Sequence, residues 1–309
     1  MFQLRLTTGP LPVALAVVFA LWTLPSGTVH AKSAPQAAQP AVDSRAEDDS
    51  FLQLVDAARK NDAARTDALA ARLPASYPLA SYVDYYRLKP KLRGAGATAE
   101  EIREVLRRHE GTAAAELMRS EWLLELGRQR DWATFEREIG QLAGSNLQLR
   151  CYGLLARASR GEAVAQEARG GLLSPAYYGE ACSALIAQLA QSRQFSEDDL
   201  LWQLRLAGEA NATGPARRVA ALLGASDIRA AQAVDTPAVA MARGSGKTRA
   251  ERAVYLVAVG RMARSSLKLA TVALQKNSPK LSPEERATGW ASIAHAASIG
   301  LSPDAATYW

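Results

Sequence analysis

Residues 79–86 read Leu-Ala-Ser-Tyr-Val-Asp-Tyr-Tyr, and within them Leu79, Tyr82, Val83 and Tyr86 recur at i, i+3, i+4 and i+7. That spacing places the four apolar side chains on one face of a helix, whereas a strand would need them to alternate. Phe51, Leu54, Val55 and Ala58 repeat the pattern. No segment combines β-branched residues with period-two alternation, so no strand is expected. Composition agrees: of 309 residues 48% are hydrophobic and only 6% aromatic, with Ala, Leu, Arg, Glu and Gln prominent. Such residues lose little rotamer freedom in a helix. The chain is expected to be all-α and long enough to bury a sizeable core.

Helix starts and stops are marked. Thr98 precedes Glu101, Ser196 precedes Asp199 and Ser282-Pro283 precedes Glu285 at capping-box spacing. Gly94, Gly111, Gly127, Gly161, Gly224, Gly260 and Gly300 are read as helix closers, because a left-handed C-terminal cap needs no Cβ. Period and caps together predict roughly thirteen or fourteen helices of about 10 to 16 residues. Short turns between them imply antiparallel pairs stacked into a right-handed solenoid, although the tetratricopeptide consensus is not met.

The ends are read separately. Arg5, the apolar run Leu11–Leu24 and the small residues Val29 and Ala31 form a signal-peptide pattern over residues 1–31, with cleavage after Ala31. Pro12 and Pro25 bracket only about a dozen apolar residues against the ~20 a spanning helix needs, so no membrane span is expected after cleavage. Residues 32–49, KSAPQAAQPAVDSRAEDD, read as a flexible linker, with folding from Ser50. Leu301-Ser302-Pro303-Asp304 resembles a new helix start, yet the sequence stops at Trp309, so the superhelical domain 50–309 is expected to be truncated.

Export bears on Cys151 and Cys182, the only cysteines. An even count in an oxidising compartment favours a disulfide, whose loop of about 32 residues is worth roughly 3 to 4 kcal/mol; two separate buried thiols are the alternative. The formal charge of +6 falls to +5 once Arg5, the only charge in residues 1–31, is removed. Basic residues are spread along the chain, and export excludes nucleic acid as the expected partner.

No catalytic constellation emerges. Gly244-Ser245-Gly246-Lys247-Thr248 resembles the end of a phosphate loop, but Met241 stands where its first glycine belongs and no strand precedes it, so a flexible connector is expected. Only His30, His109 and His295 are present, without HxxxH or CxxC, and neither metal nor cofactor is expected. His109 is read as a cation at a helix C-terminus, and His295 as an ordinary helical residue. Glu100-Glu101, Asp198-Asp199 and Glu284-Glu285 invite a glycosidase reading, but each pair falls in a helix first turn, where capping explains it. Trp122, Trp132, Trp202 and Trp290 lie in apolar periods. Trp132, Phe135, Ile139 and Leu142 form a stripe, so core packing is expected for these aromatics rather than stacking on sugar rings.

Several stretches resemble the soluble lytic murein transglycosylases of Gram-negative bacteria. Tyr77-Pro78-Leu79-Ala80-Ser81-Tyr82-Val83-Asp84-Tyr85 is similar to that family's early YPLxxYLEY helix. In order follow Trp122 ahead of an Arg128–Trp132 turn, Cys151-Tyr152 opening a helix, and Ala181-Cys182 with Leu204-Arg205-Leu206-Ala207 downstream. The resemblance covers residues 50 to 309 and implies a U-shaped or ring-like α-superhelix, a periplasmic location, peptidoglycan glycan strands as partner, and a role in murein turnover. It also implies a separate lysozyme-like catalytic domain, in which a glutamate of a Glu-Ser dipeptide cleaves the glycan to leave 1,6-anhydromuramic ends. No Glu-Ser dipeptide, GLMQ-like segment or Ala-Tyr-Asn-Ala-Gly segment is present, so no catalytic residue carries over. The expectation is a scaffold that positions glycan strands and is inactive alone; the alternative is a tetratricopeptide-like protein adaptor.

Overall fold

The computed structural model describes residues 44–93, 96–144 and 146–309. The signal-peptide reading, its cleavage point at Ala31, most of the linker reading and Gly94 lie outside them. Among the described residues are sixteen α-helices, four short 3-10 turns and no strand.

α1 (Ser44–Arg59) starts within the stretch read as linker, ahead of Ser50. Glu47 lies in its first turn, where a carboxylate complements unsatisfied N–H groups, and Asp48 accepts a 2.9 Å hydrogen bond from the Tyr77 hydroxyl. α2 (Ala63–Ala70) follows Asp62, whose carboxylate caps Arg65 N, and α3 (Ala80–Leu88) carries the opening apolar stripe. Then come α4 (Ala99–Arg108), α5 (Ala113–Gln129), α6 (Trp132–Ile139), α7 (Leu147–Ser159), α8 (Ala165–Gly171) and α9 (Gly179–Gln191). The rest are α10 (Glu197–Glu209), α11 (Thr213–Leu222), α12 (Asp227–Asp235), α13 (Pro237–Arg243), α14 (Arg249–Ala263), α15 (Leu267–Asn277) and α16 (Pro283–Ile299). The count exceeds the sequence expectation because short helices escape periodicity. Pro237 restarts a helix directly after Thr236 closes α12, and α8 has only seven residues.

Ser196 with Asp199 and Ser282 with Glu285 form reciprocal capping boxes, as does Thr248 with Glu251. Thr98 supplies half of one: its hydroxyl accepts from Glu101 N, while the Glu101 carboxylate turns to Arg87 at 3.0 Å. Gly111, Gly161 and Gly224 take positive φ after their helices. Gly127 and Gly260 do not close helices; they lie inside α5 and α14 at close helix contacts. Residues 302–304 lead into the 3-10 turn Ala305–Tyr308 and not into an α-helix, and Trp309 Nε1 donates to Ser298 Oγ at 3.2 Å.

Helices pack on near neighbours: α3 on α5, α5 on α7, α7 on α9, α10 on α11 and α14, and α14 on α16. The core accordingly comes in successive clusters. Leu54, Leu69 and Tyr77 anchor the first, a long run from Tyr85 to Ala258 the second, and Tyr255, Val259, Leu274 and Ile293 the third. This is the quasi-one-dimensional packing of an α-superhelix. In α14 every residue from Val254 to Val259 is buried, because α10, α12, α13, α15 and α16 all pack on it. Surrounding contacts here outweigh the weak helix propensity of its valines. Cys151 of α7 and Cys182 of α9 form a disulfide with Cα atoms 4.9 Å apart, and both residues are buried. Cys151 sits in the body of α7 rather than at its start, which Asn146 caps.

Candidate functional site

A cleft lies between α10, α14 and α16 and has a volume of about 250 Å³. Each helix presents one stripe at three- or four-residue spacing. α10 contributes Asp198, Trp202 and Arg205, α14 contributes Arg249, Ala253 and Leu256, and α16 contributes Glu284, Thr288 and Ser292.

Contacts at both ends set the helix directions. At one end Arg249 donates to Asp198 at 2.6 Å and to Glu197 at 3.3 Å, joining the first turns of α14 and α10. At the other, Arg264, directly after α14, donates to the Glu209 carbonyl that ends α10. α16 follows suit: Arg252 pairs with Glu285 at 2.8 Å near the N-termini. Further along both helices Gly260 faces Ser292, and a β-carbon on Gly260 would lie 3.1 Å from Ser292 Cβ. The three helices therefore run in the same direction, and their first turns share one end of the cleft.

Leu204, Leu256 and Val257 are buried beneath the cleft. Gly208 admits Val257 closely, since a β-carbon there would lie 3.3 Å from Val257 Cγ2. Trp202 stands at the rim, 47% exposed, with the Arg205 guanidinium 5.6 Å from its ring centroid. This corrects the core reading of Trp202. α10 has two apolar faces: Leu200, Leu204 and Ala207 point into the core, while Leu201 and Trp202 line the cleft. Trp122 is buried, with Arg103 over its ring; Phe135 is buried; and Trp132, Ile139, Leu142 and Trp290 pack partly buried against core clusters, in keeping with the stripe reading.

His295 lines the cleft, and its imidazole makes no hydrogen bond to another described residue. Sequence alone offered no signal for that placement. His109 lies elsewhere, capping α4 with Nε2 2.9 Å from Asp84 Oδ2, so the two histidines do not converge.

All three acidic pairs occupy helix first turns. Arg169 donates to Asp199 at 2.7 Å and, with the Ser196 amide and hydroxyl, holds its carboxyl well below the usual range. The backbone N–H of Glu284 and the Ser282 hydroxyl lower the Glu284 carboxyl. A general acid at neutral pH needs the opposite shift, so neither carboxylate has the electrostatics of a glycosidase acid.

The segment 244–248 is held more tightly than a flexible connector. Gly244 and Gly246 take φ of +90° and +87°, and Ser245 N donates to Asn277 Oδ1 at 3.3 Å. Lys247 N and Thr248 N donate to Glu251 Oε2 at 2.7 and 3.1 Å. The chain's own carboxylate thus occupies the amides that a phosphate would use.

Among solved structures, the 70 kDa soluble lytic transglycosylase of Escherichia coli matches 85% of this chain and 44% of its own at TM-score 0.50 and 18% identity. The fold is similar to that of a soluble lytic transglycosylase. Two further structures align at TM-score 0.48: the same enzyme type in complex with bulgecin A, at 19% identity over 85% of this chain and 44% of that one, and an inactive mutant of the lytic transglycosylase Slt from Pseudomonas aeruginosa, at 22% over 84% and 43%. This chain therefore spans less than half the length of these transglycosylases. Neither a protein-family model nor a curated protein sequence matches. No described helix is long and apolar enough to cross a membrane.

Proposed function

We propose that this chain is a helical scaffold for peptidoglycan turnover: it holds glycan strands of the murein and does not itself cleave them. The observation that carries the reading is the shared superhelix, in which the transglycosylase-like stretches serve structural roles in their expected order. Tyr77 and Pro78 lie in the turn into α3, and Arg130, in the left-handed region, turns α5 into α6. Cys151 and Cys182 tie α7 to α9. The lytic transglycosylases with this fold are more than twice as long as the matched part, so cleavage chemistry is assigned to a separate transglycosylase domain. The scaffold acts in the periplasm after removal of residues 1–31, and the mature charge of +5 steers it to the anionic wall.

Retention on purified sacculi tests this directly. At low salt the chain is expected to co-sediment with sacculi and to be released as salt screens the attraction. A chain that ignores sacculi but retains a defined peptide partner would replace this reading with that of a protein adaptor.

A further inference from the structure

The cleft between α10, α14 and α16 is chemically polarised along its length. At the N-terminal end its charges are engaged: Arg249 with Asp198, Glu285 with Arg252, and Glu284 with the Ser282 hydroxyl. At the C-terminal end Arg264 gives one N–H to the Glu209 carbonyl and has no carboxylate partner among the described residues. His295 lies along the same cleft, and its imidazole makes no hydrogen bond to another described residue. Arg205 bonds Glu209 through Nε at 2.8 Å and lays its guanidinium beside the Trp202 ring.

The charge balance narrows the ligand. The lining carboxylates Asp198, Glu209, Glu284 and Glu285 face the guanidiniums of Arg205, Arg249 and Arg264, so the cleft as a whole is close to neutral. A polyanion gains little from such a surface. A half-exposed indole above a floor of Leu256 and Val257 suits a ligand with an apolar face, and the hydroxyls of Thr288 and Ser292 suit one with polar edges. Pyranose rings have both. The Arg264 guanidinium, which has no carboxylate partner among the described residues, then selects a carboxylate.

We infer that this cleft binds a sugar ring bearing a carboxylate-containing branch, with the ring on Trp202 and the carboxylate at Arg264 beside His295. The inference rests on the peptidoglycan reading, whose amino-sugar strands carry carboxylates on their peptide branches, and it assigns that recognition to one site.

The test is calorimetric titration of the chain with an N-acetylmuramyl dipeptide, which has a carboxylate, and with di-N-acetylchitobiose, which has none. The muramyl probe is expected to bind about tenfold or more tightly, as one charge-assisted hydrogen bond allows. Trp202→Ala weakens both probes. Arg264→Ala abolishes the difference between them while chitobiose binding persists, and Arg264→Lys restores part of it. Equal binding of the two probes, a preference that survives Arg264→Ala, or undiminished binding to Trp202→Ala would overturn the assignment. If sacculi retain the chain but neither soluble probe binds, the cleft assignment fails and the scaffold reading stands; if sacculi do not retain it, the scaffold reading fails first.

Discussion

Gly127 lies against the ring of Tyr152: a β-carbon at residue 127 would come within 2.4 Å of Tyr152 Cγ and Cδ2. Tyr152 is 4% exposed and packs on Phe135 and Trp132, so the ring has nowhere to retreat. The contact sets how closely α7 approaches α5. Gly127→Ala is expected to cost about 1 to 3 kcal/mol by overpacking. Gly140→Ala, where nothing lies within 4 Å, is the control and stays close to wild type in urea titration. Equal midpoints for the two variants would show that α5 and α7 do not meet in this way.

The Cys151–Cys182 bridge spans 31 residues of sequence. Replacing both cysteines by alanine is expected to lower stability by about 3 kcal/mol, or roughly 6 to 12 °C in Tm for a domain of this size. Reducing agent reproduces the loss in wild type and leaves the alanine variant unchanged. An equal response of both proteins to reductant would mean that the bridge does not form.

Trp122 and Trp202 were indistinguishable by periodicity, and the structure separates them. Trp122 is 4% exposed and Trp202 47%. Trp122→Ala is therefore expected to cost about 3 to 5 kcal/mol, whereas Trp202→Ala costs about 1 kcal/mol or less. Thermal denaturation distinguishes them, and a large loss at Trp202 would return that residue to the core.

Asp199 provides a pH handle. Its carboxyl is depressed first by Arg169 and further by the Ser196 amide and hydroxyl. A depressed folded-state pKa contributes stability above the unfolded value of about 3.9, and the contribution fades as pH falls below it. Asp199→Asn should thus be less stable than wild type at neutral pH, with the gap narrowing as pH falls below about 4. Urea midpoints at neutral and acid pH check it; a gap independent of pH would show that the effect does not come from the charge of Asp199.

What was legible in the sequence was local. The boxes at Ser196 and Ser282 and the stripes of α3 and α6 follow from contacts within one or two turns, and the pattern records these directly. Glycine was ambiguous, because the same residue ends a helix at Gly111 by positive φ and admits a neighbouring ring at Gly127 by having no Cβ. The cleft was hidden for a different reason. Arg249 meets Asp198 across 51 residues, and no local periodicity records which helix will lie beside which. By pattern Trp202 reads as core, because a residue on the second apolar face of α10 has the same spacing as one on the first.

The most direct test of the central claim is incubation of the chain with purified sacculi at low salt, followed by sedimentation and mass spectrometry of the soluble fraction. The account predicts that the chain is retained with the sacculi and that no 1,6-anhydro-muropeptides appear. Failure to sediment would contradict the glycan-holding role, and release of anhydro products would mean that one of the carboxylates assigned here to helix capping is an active-site acid.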